Sequence, residues 1–589
     1  MVGEKMEAMI QRTVIANRLD SITQEMGLVL ERSAHSPIFA EACDFACCIC
    51  DHKGTLVSQL SGIPILATAG SYSVISVLNR YKEDINPGDV FIINDPYHGG
   101  NHLPDIGIIT PVFHDERLMF FCVSRAHHGD IGGSTAGSYN PKATEIFQEG
   151  IRIPPTRIIK QHAFLTEVLE LILINTRNPQ MLKSDLQAQI GANKVALKRI
   201  GDMIETYGPD GVAWAVDELL ELTEALTRKR IAALPDGVYQ AMDYVDDDGF
   251  QEEPIHIAVT INVEGDRLLV DFDGTHPQVK GFINTSVVTA TAAAGIAVLW
   301  MLGADIPRNG GAFRCIDVHL PKGSLVNPYE PAPMTLCTLT PAGEIIATIL
   351  QALDQAVEGE VPAGYGRYAG PSFYGTDPRT ERYYVGFSFC SLGSGGASKD
   401  RDGKPYMATL SNYGGVKTPN IESNEVQYPH VTLYHELDTD TAGAGTFRGG
   451  SGMKYAYQFY DEAGHIVNFG DGMKFPPYGL HRGHPGSLNR GLLVHDGVSI
   501  PLQSKEAPRS TVKGDRVELY SSGGGGWGDP LDRVAQQVYC DVLDEIITQK
   551  TAEEVYGVVI TQDGVDEEMT LKTRDALRQL HQIKKTENV

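Results

Sequence analysis

Positive charge is scarce in this chain of 589 residues. Lys and Arg number 49 against 75 Asp and Glu, leaving a formal net charge of −26. A surface of that sign repels phosphate backbones and anionic headgroups, which excludes broad nucleic-acid binding and electrostatic membrane anchoring. The first twenty residues, MVGEKMEAMIQRTVIANRLD, lack a basic stretch followed by an apolar core, so no export signal is expected and a cytoplasmic location is. Long apolar runs are missing too. The nearest approach, Val287 to Ala304, is rich in Thr, Ala and Gly and meets Asp305 without basic flanks, so it reads as a buried small-residue helix. The nine Cys are odd in number and lack the spacing of a disulfide framework, which points to reduced thiols. Cys43, Cys47, Cys48 and Cys50 cluster without a second ligand pair at zinc-site spacing and read as small apolar residues of a buried strand.

Two functional signatures are also absent. No G-x-x-x-x-G-K-[ST] loop occurs, so the chain carries no Walker A nucleotide site, and without G-x-S-x-G it is not expected to be a serine hydrolase of the α/β type. One G-x-G-x-x-G exists, at Gly523, Gly525 and Gly528, after a strand predicted over Arg516 to Tyr520. A dinucleotide fold would need a second strand ending in an acidic residue. None follows, and the glycines read as a turn packed closely on another surface.

What is abundant is glycine, 62 residues with 32 Pro and no collagen period, which implies turns and close backbone approaches rather than a helical bundle. Apolar residues at Ile10, Val14, Ile15, Leu19, Ile22, Met26 and Val29 predict a long first helix ending before Pro37. Strands are predicted at Phe45 to Ile49, Val90 to Ile93, Ile106 to Val112 and Leu118 to Val123, with a helix from Ala69 to Tyr81. Helices are expected at Leu165 to Ile174, Met181 to Tyr207, Gly211 to Ala232, after Thr285, and at Glu344 to Leu353. Arg533 to Thr548 is read as one helix and Leu571 to Lys585 as fraying turns. The fold class is α+β: Gly-rich β regions, a helical insert and a β-rich C-terminal region. The expected divisions are an α+β metal-binding region (1–162), a helical segment (163–236), a central α+β region (237–430), a β-rich region (431–530) and C-terminal helices (531–589).

The sharpest chemical signal is His102-Leu103-Pro104-Asp105, followed across a strand pair by His127-His128. If the two strands form a hairpin, antiparallel pairing returns His127 to the end of the sheet where His102 and Asp105 stand. Two imidazoles and a carboxylate converging there make a metal site, for zinc first and Mn or Fe as alternatives. Asp44, among apolar neighbours at the start of a strand, is the candidate fourth ligand, because a buried carboxylate needs a cation. His98 and His128 are left as substrate-facing groups and candidate general bases. The amides of Gly99, Gly100, Gly132 and Gly133 could hold a developing negative charge or simply make turns. Glu145, Glu149 and Arg152 are expected to brace a loop as an ion network.

Several segments, in order, resemble the hydantoinase B/5-oxoprolinase family: NDPYHGGNHLPDIGIITPVF, AHHGDIGGSTAGSY, TEIFQEGIRIPP, FRCIDVHLPKGSLVNP, GAGTFRGGSG and SSGGGGWGDPLDR. The resemblance runs from the first helix to about Tyr556. It implies a B-type (β) subunit of an ATP-dependent amidohydrolase that opens a lactam, a hydantoin or 5-oxoproline. The metal ligands it implies are Asp44, His102, Asp105 and His127. It also implies ATP and Mg in a separate A-type (α) ATPase subunit of actin-like fold, and an α2β2 assembly, which would account for the missing Walker A loop. Two other readings stand beside it: a subunit of an acetone- or acetophenone-type carboxylase, and a non-catalytic scaffold with a structural metal.

Overall fold

A computed structural model of the chain describes residues 2–60, 62–357, 359–407, 410–412 and 415–587. The chain opens with α1 (Val2–Ser33) and the single turn α2 (Pro37–Ala40). The buried stripe of α1 runs Ile15, Leu19, Ile22, Met26 and Leu30, so Ile10 and Val14, expected in it, are exposed. There follow β1 (Phe45–Asp51), β2 (Leu56–Gln59), α3 (Pro64–Tyr81), β3 (Val90–Ile93), β4 (Asp105–His114), β5 (Arg117–His127), β6 (Thr156–Lys160) and β7 (Ala163–Phe164). These strands form one antiparallel sheet in the order β2-β1-β5-β4-β3-β6-β7. β1 is buried along its whole length, which explains why its alternation is lost and why three of its seven residues are the small, apolar Cys47, Cys48 and Cys50.

The helices α4 (Thr166–Leu173), α5 (Pro179–Tyr207) and α6 (Pro209–Ile231) come next. α5 lies between α1 and the β4–β5 hairpin. Two amides on its inner face are spent on strand backbone. Gln189 donates to the carbonyls of Ile106 (2.9 Å) and Ser124 (3.2 Å), and Asn193 to those of Ile108 (2.9 Å) and Cys122 (3.2 Å). Side chains four residues apart thus fasten both strands of one hairpin to one helix face.

A second sheet contains β8 (Gly237–Val245), β9 (Ile255–Glu264), β10 (Arg267–Asp271) and, beyond α7 (Val287–Leu302), β11 (Ile316–His319). α7 is the small-residue helix expected: Ala290, Ala292, Ala293, Ala294, Gly295 and Ala297 are buried against α3 and α8 (Ala342–Asp354). Among the described residues no helix is long and apolar enough to cross a membrane.

The rest is β-rich. β12 (Ala369–Thr376) and β13 (Tyr383–Phe387) precede α9 (Ile421–Gln427), and then come β14 (His430–Leu437), β15 (Met453–Phe459), β16 (Gly464–Gly470), β17 (Arg490–His495), β18 (Val498–Pro501), β19 (Arg509–Thr511) and β20 (Arg516–Tyr520). They make two sheets, β13-β12-β16-β19 and β14-β15-β20-β17-β18. Beside these strands run glycine segments that bond one another outside any named strand. Gly524 N–H donates to Gly450, Gly525 to Gly364 and Gly526 to His484, all at 2.8 to 2.9 Å. A Cβ on Gly524 would stand 2.0 Å from the Gly395 carbonyl oxygen, and one on Gly449 1.9 Å from that of Gly524. The G-x-G-x-x-G lies inside this stack, as the close-packing reading expects.

The C-terminal helices differ from expectation at one place. Arg533 to Thr548 is not one helix: α10 (Ala535–Leu543) stops before Glu545, whose φ is +57°, and α11 (Gln549–Glu554) restarts under the Thr548 side-chain cap. The last helix is α12 (Glu567–Glu587), which takes in the turns expected over Leu571 to Lys585. Arg574 anchors it, donating to the carbonyls of Tyr556 (3.0 Å) and Arg533 (2.6 Å).

Candidate metal centre

β4 and β5 pair in the register the hairpin argument requires, with Asp105 directly opposite His127. The turn before β4 brings His102 over the same end of the sheet. Asn94 holds that turn, donating to the carbonyls of Leu103 (2.8 Å) and Ile151 (2.9 Å) and accepting from Ile153 N–H (2.7 Å). Arg125, buried beneath, donates to the Asp105 carbonyl at 2.8 Å and to the Ser73 hydroxyl.

Three donor atoms converge as a result. His102 Nε2 lies 2.9 Å from Asp105 Oδ1, and His127 Nδ1 lies 3.2 Å from both. All three side chains are buried, at 1%, 1% and 5% exposure. Among the described residues this is the only group of three or more His, Cys, Asp or Glu whose ligand atoms lie within 4.8 Å of one another. Ligand bonds of ~2.0–2.1 Å around a zinc ion put neighbouring donors about 3.3 Å apart in a tetrahedron, and about 2.9 Å apart in an octahedron. The observed spacings fall between these.

Proton counting points the same way. His102 Nδ1 sits against the Thr335 carbonyl oxygen, which can only accept, so Nδ1 carries a hydrogen. Its Nε2 then offers a lone pair to the Asp105 carboxylate, which also can only accept. A second proton or a cation has to lie between them. The other Asp105 oxygen, Oδ2, is buried without a hydrogen-bond partner among the described residues. Burial alone would push Asp105 up and His102 down, but their mutual attraction reverses both. Asp105 is held well below the usual carboxylate range, and His102 is raised, helped by the Thr335 carbonyl. The donor set fits a divalent metal.

Asp44 enters through the backbone: its carbonyl accepts from His127 N–H at 3.1 Å. Its carboxylate lines the same cavity as Asp105 and His127 but does not join the three within their mutual 4.8 Å. Burial pushes it up to about 6 against the pull of His127. Tyr139, stacked on His127 at 5.9 Å, and Phe387, edge-on at 5.7 Å, form the aromatic wall. The cavity holds about 40 Å³, enough for a few waters and too small for a cyclic amide, so a ring can enter only if that wall moves.

The structure does not bring the other predicted residues to this cavity. His98 is half-exposed and rests on Asp95 at 3.0 Å. His128, next to His127 on an alternating strand, faces the opposite side, where its Nε2 meets Gln189 at 3.0 Å. The amides of Gly100 and Gly132 are already donated, to the Asp95 carbonyl and to Asp130 Oδ1, and at Gly99, with φ +105°, a Cβ would meet the Tyr72 carbonyl at 2.8 Å. These three are turn residues.

Of the expected ion network, Arg152 pairs with Asp95 (2.8 Å) and Glu330 (2.6 Å). Glu145 caps a short turn. Glu149 forms no ion pair among the described residues; it accepts the backbone N–H groups of Met334 (3.0 Å) and Thr335 (2.8 Å) and so fixes the residue whose carbonyl orients His102. Arg125, Thr335, Tyr139, Gln189 and the Glu149 clamp escaped sequence reasoning. Arg125 lies just beyond the strand predicted over Leu118 to Val123, between Ser124 and Ala126, where nothing in the sequence marks it as buried.

The hydantoinase B/oxoprolinase family matches residues 8–530. The chain belongs to that family. It is 33% identical to the caprolactamase subunit beta of Pseudomonas jessenii, over 96% of this chain and 99% of the other. The crystal structure of the ATP-dependent caprolactamase from that organism superposes with a TM-score of 0.90 at 31% identity, over 96% of this chain and 99% of that one. A nucleotide-free acetone carboxylase superposes with a TM-score of 0.88 at 21% identity, over 98% of this chain and 83% of that one, which is a likeness of fold. The α+β architecture is therefore that of the family.

Proposed function

We propose that this chain is the metal-binding β subunit of an ATP-dependent amidohydrolase that opens a cyclic amide: a lactam, a hydantoin or 5-oxoproline. The observation that carries the reading is the buried His102–Asp105–His127 convergence, one cation short by proton count, in a chain that aligns over almost its whole length with a caprolactamase β subunit. Asp44, which lines the same cavity just ahead of β1 but stands outside the three-atom cluster, is the fourth ligand carried over from the family.

An unstrained cyclic amide is a poor electrophile, and ring closure often competes with opening. Phosphorylation of the amide oxygen makes that oxygen a leaving group and couples opening to ATP. This chain has no Walker A loop, so the nucleotide falls to an A-type ATPase partner, with α2β2 the assembly carried over from the family. A divalent metal, zinc first and Mn or Fe next, would supply Lewis acidity toward a water or a carbonyl oxygen. The chain's own residues do the preparation. Thr335 keeps the His102 proton on Nδ1 so that Nε2 faces inward, and Glu149 and Arg125 fix the peptides on either side. Tyr139 and Phe387 keep bulk water out.

The test is to co-express the chain with its ATPase partner and assay ATP-dependent opening of caprolactam, hydantoin and 5-oxoproline against carboxylation of acetone and acetophenone. Ring opening with ADP release is expected for at least one cyclic amide. Carboxylation of a ketone with every ring intact would overturn the reading.

A further inference from the structure

On the opposite side of β5 from the metal centre lies a second cavity, of about 220 Å³, into which His128 rather than His127 is built. Three carboxylates line it. Asp130 is paired with Arg177 at 3.0 Å and Asp377 with Arg379 at 2.7 Å. Asp185, 1% exposed, has no cation partner among the described residues; it accepts only the backbone N–H groups of His35 (2.9 Å) and Ser36 (3.2 Å). A buried carboxylate without a cation is costly, and a ligand cation would remove that cost.

The neighbouring groups are acceptors as well. Gln189 donates both amide hydrogens to the carbonyls of Ile106 and Ser124, so its oxygen accepts from His128 Nε2–H, and His128 is left with Nδ1 as a lone pair. The Ser36 hydroxyl, 1% exposed, has no partner among the described residues and does not cap its own helix. The buried end thus offers Asp185, His128 Nδ1 and Ser36 Oγ to a donor. The walls beyond are apolar, from Ile38, Leu182 and Val385. At the exposed end stands Arg382, whose guanidinium has no ion-pair partner among the described residues.

We propose that this cavity binds a linear ω-amino acid, with its ammonium on Asp185, its methylenes along Ile38, Leu182 and Val385, and its carboxylate on Arg382. The inference rests on the cyclic-amide reading, because hydrolysis of a lactam C–N bond yields this class of molecule. The site would then hold the product one strand away from where the ring is opened.

Isothermal titration of the full chain, without ATP, with 4-aminobutanoate, 5-aminopentanoate and 6-aminohexanoate tests it, with hexanoate and hexylamine as single-charge controls. At least one ω-amino acid should bind, and each control at least tenfold more weakly. Asp185→Asn, which keeps the oxygen that receives the two backbone N–H groups, should weaken binding about 10- to 100-fold, the scale of a charged hydrogen bond. Arg382→Ala, at an exposed position, should also weaken it and guards against a folding defect in the first variant. His102→Ala, at the metal centre, should leave it unchanged. Absence of binding, or affinities untouched by both Asp185→Asn and Arg382→Ala, would overturn the proposal. Binding that survives beside a failed ring-opening assay would count against the enzymatic reading alone.

Discussion

His430 shows how one buried side chain sets a property of the whole chain. It is 1% exposed among Phe373, Tyr428, Tyr457 and Phe459, and its Nδ1 has no partner. Burial pushes its pKa from 6.5 down to about 3, and Arg379 adds to the effect. In the unfolded chain the imidazole takes up a proton below about pH 6.5 while the folded chain refuses it. Stability is therefore complete above that pH and is lost as pH falls toward 3, at ~1.4 kcal/mol per pH unit from this residue. His430→Phe should flatten the decline. Urea melts of both proteins at pH 6 and pH 4.5 should differ in their pH dependence by about 2 kcal/mol, and parallel declines would contradict the assignment. At this scale the convergence of His102, Asp105 and His127 was legible, because His-x-x-Asp and His-His are rare enough to stand out and a hairpin gives one pairing. Their supports were not. Thr335 meets His102 across 233 residues of sequence and acts through a backbone carbonyl, which carries no residue-type signal.

Elements tell a similar story. β3, β4, β5, α3 and α5 were readable from periodicity, since each buries one face or lies wholly inside. The exposed Ile10 and Val14 show the limit: a helical stripe continues in sequence after the surface it packs against has ended. The glycine segments carry no periodicity, so their number could be counted but their association could not be foreseen. Backbone packed on backbone leaves no volume for a methyl. Gly524→Ala, whose Cβ would meet the Gly395 oxygen at 2.0 Å, should destabilise the protein by about 3 kcal/mol. Gly201→Ala, inside α5 with nothing within 4 Å of the new carbon, should stabilise it by ~0.5–1 kcal/mol. Thermal melts of the pair decide the matter: equal shifts would mean that the glycine stack tolerates side chains and is not close-packed.

For the whole molecule, the acid excess that opened the sequence reading proves local in its effect. A few carboxylates line buried cavities instead: Asp105 and Asp44 on one side of the β4–β5 sheet end, and Asp185 on the other. The 40 Å³ metal cavity and the 220 Å³ second cavity flank consecutive residues, His127 and His128. A strand that alternates its faces thus keeps the two cavities apart, which the proposed roles of reacting site and product site require. The central claim is that His102, Asp105 and His127 hold a divalent metal. It is tested most directly by elemental analysis of the purified chain and of its His102→Ala and His127→Ala variants, each checked for native circular dichroism. The account predicts close to one equivalent of zinc, manganese or iron in the parent chain and its loss from both folded variants. Equal metal content in all three, or none in the parent after purification with these metals supplied, would contradict it.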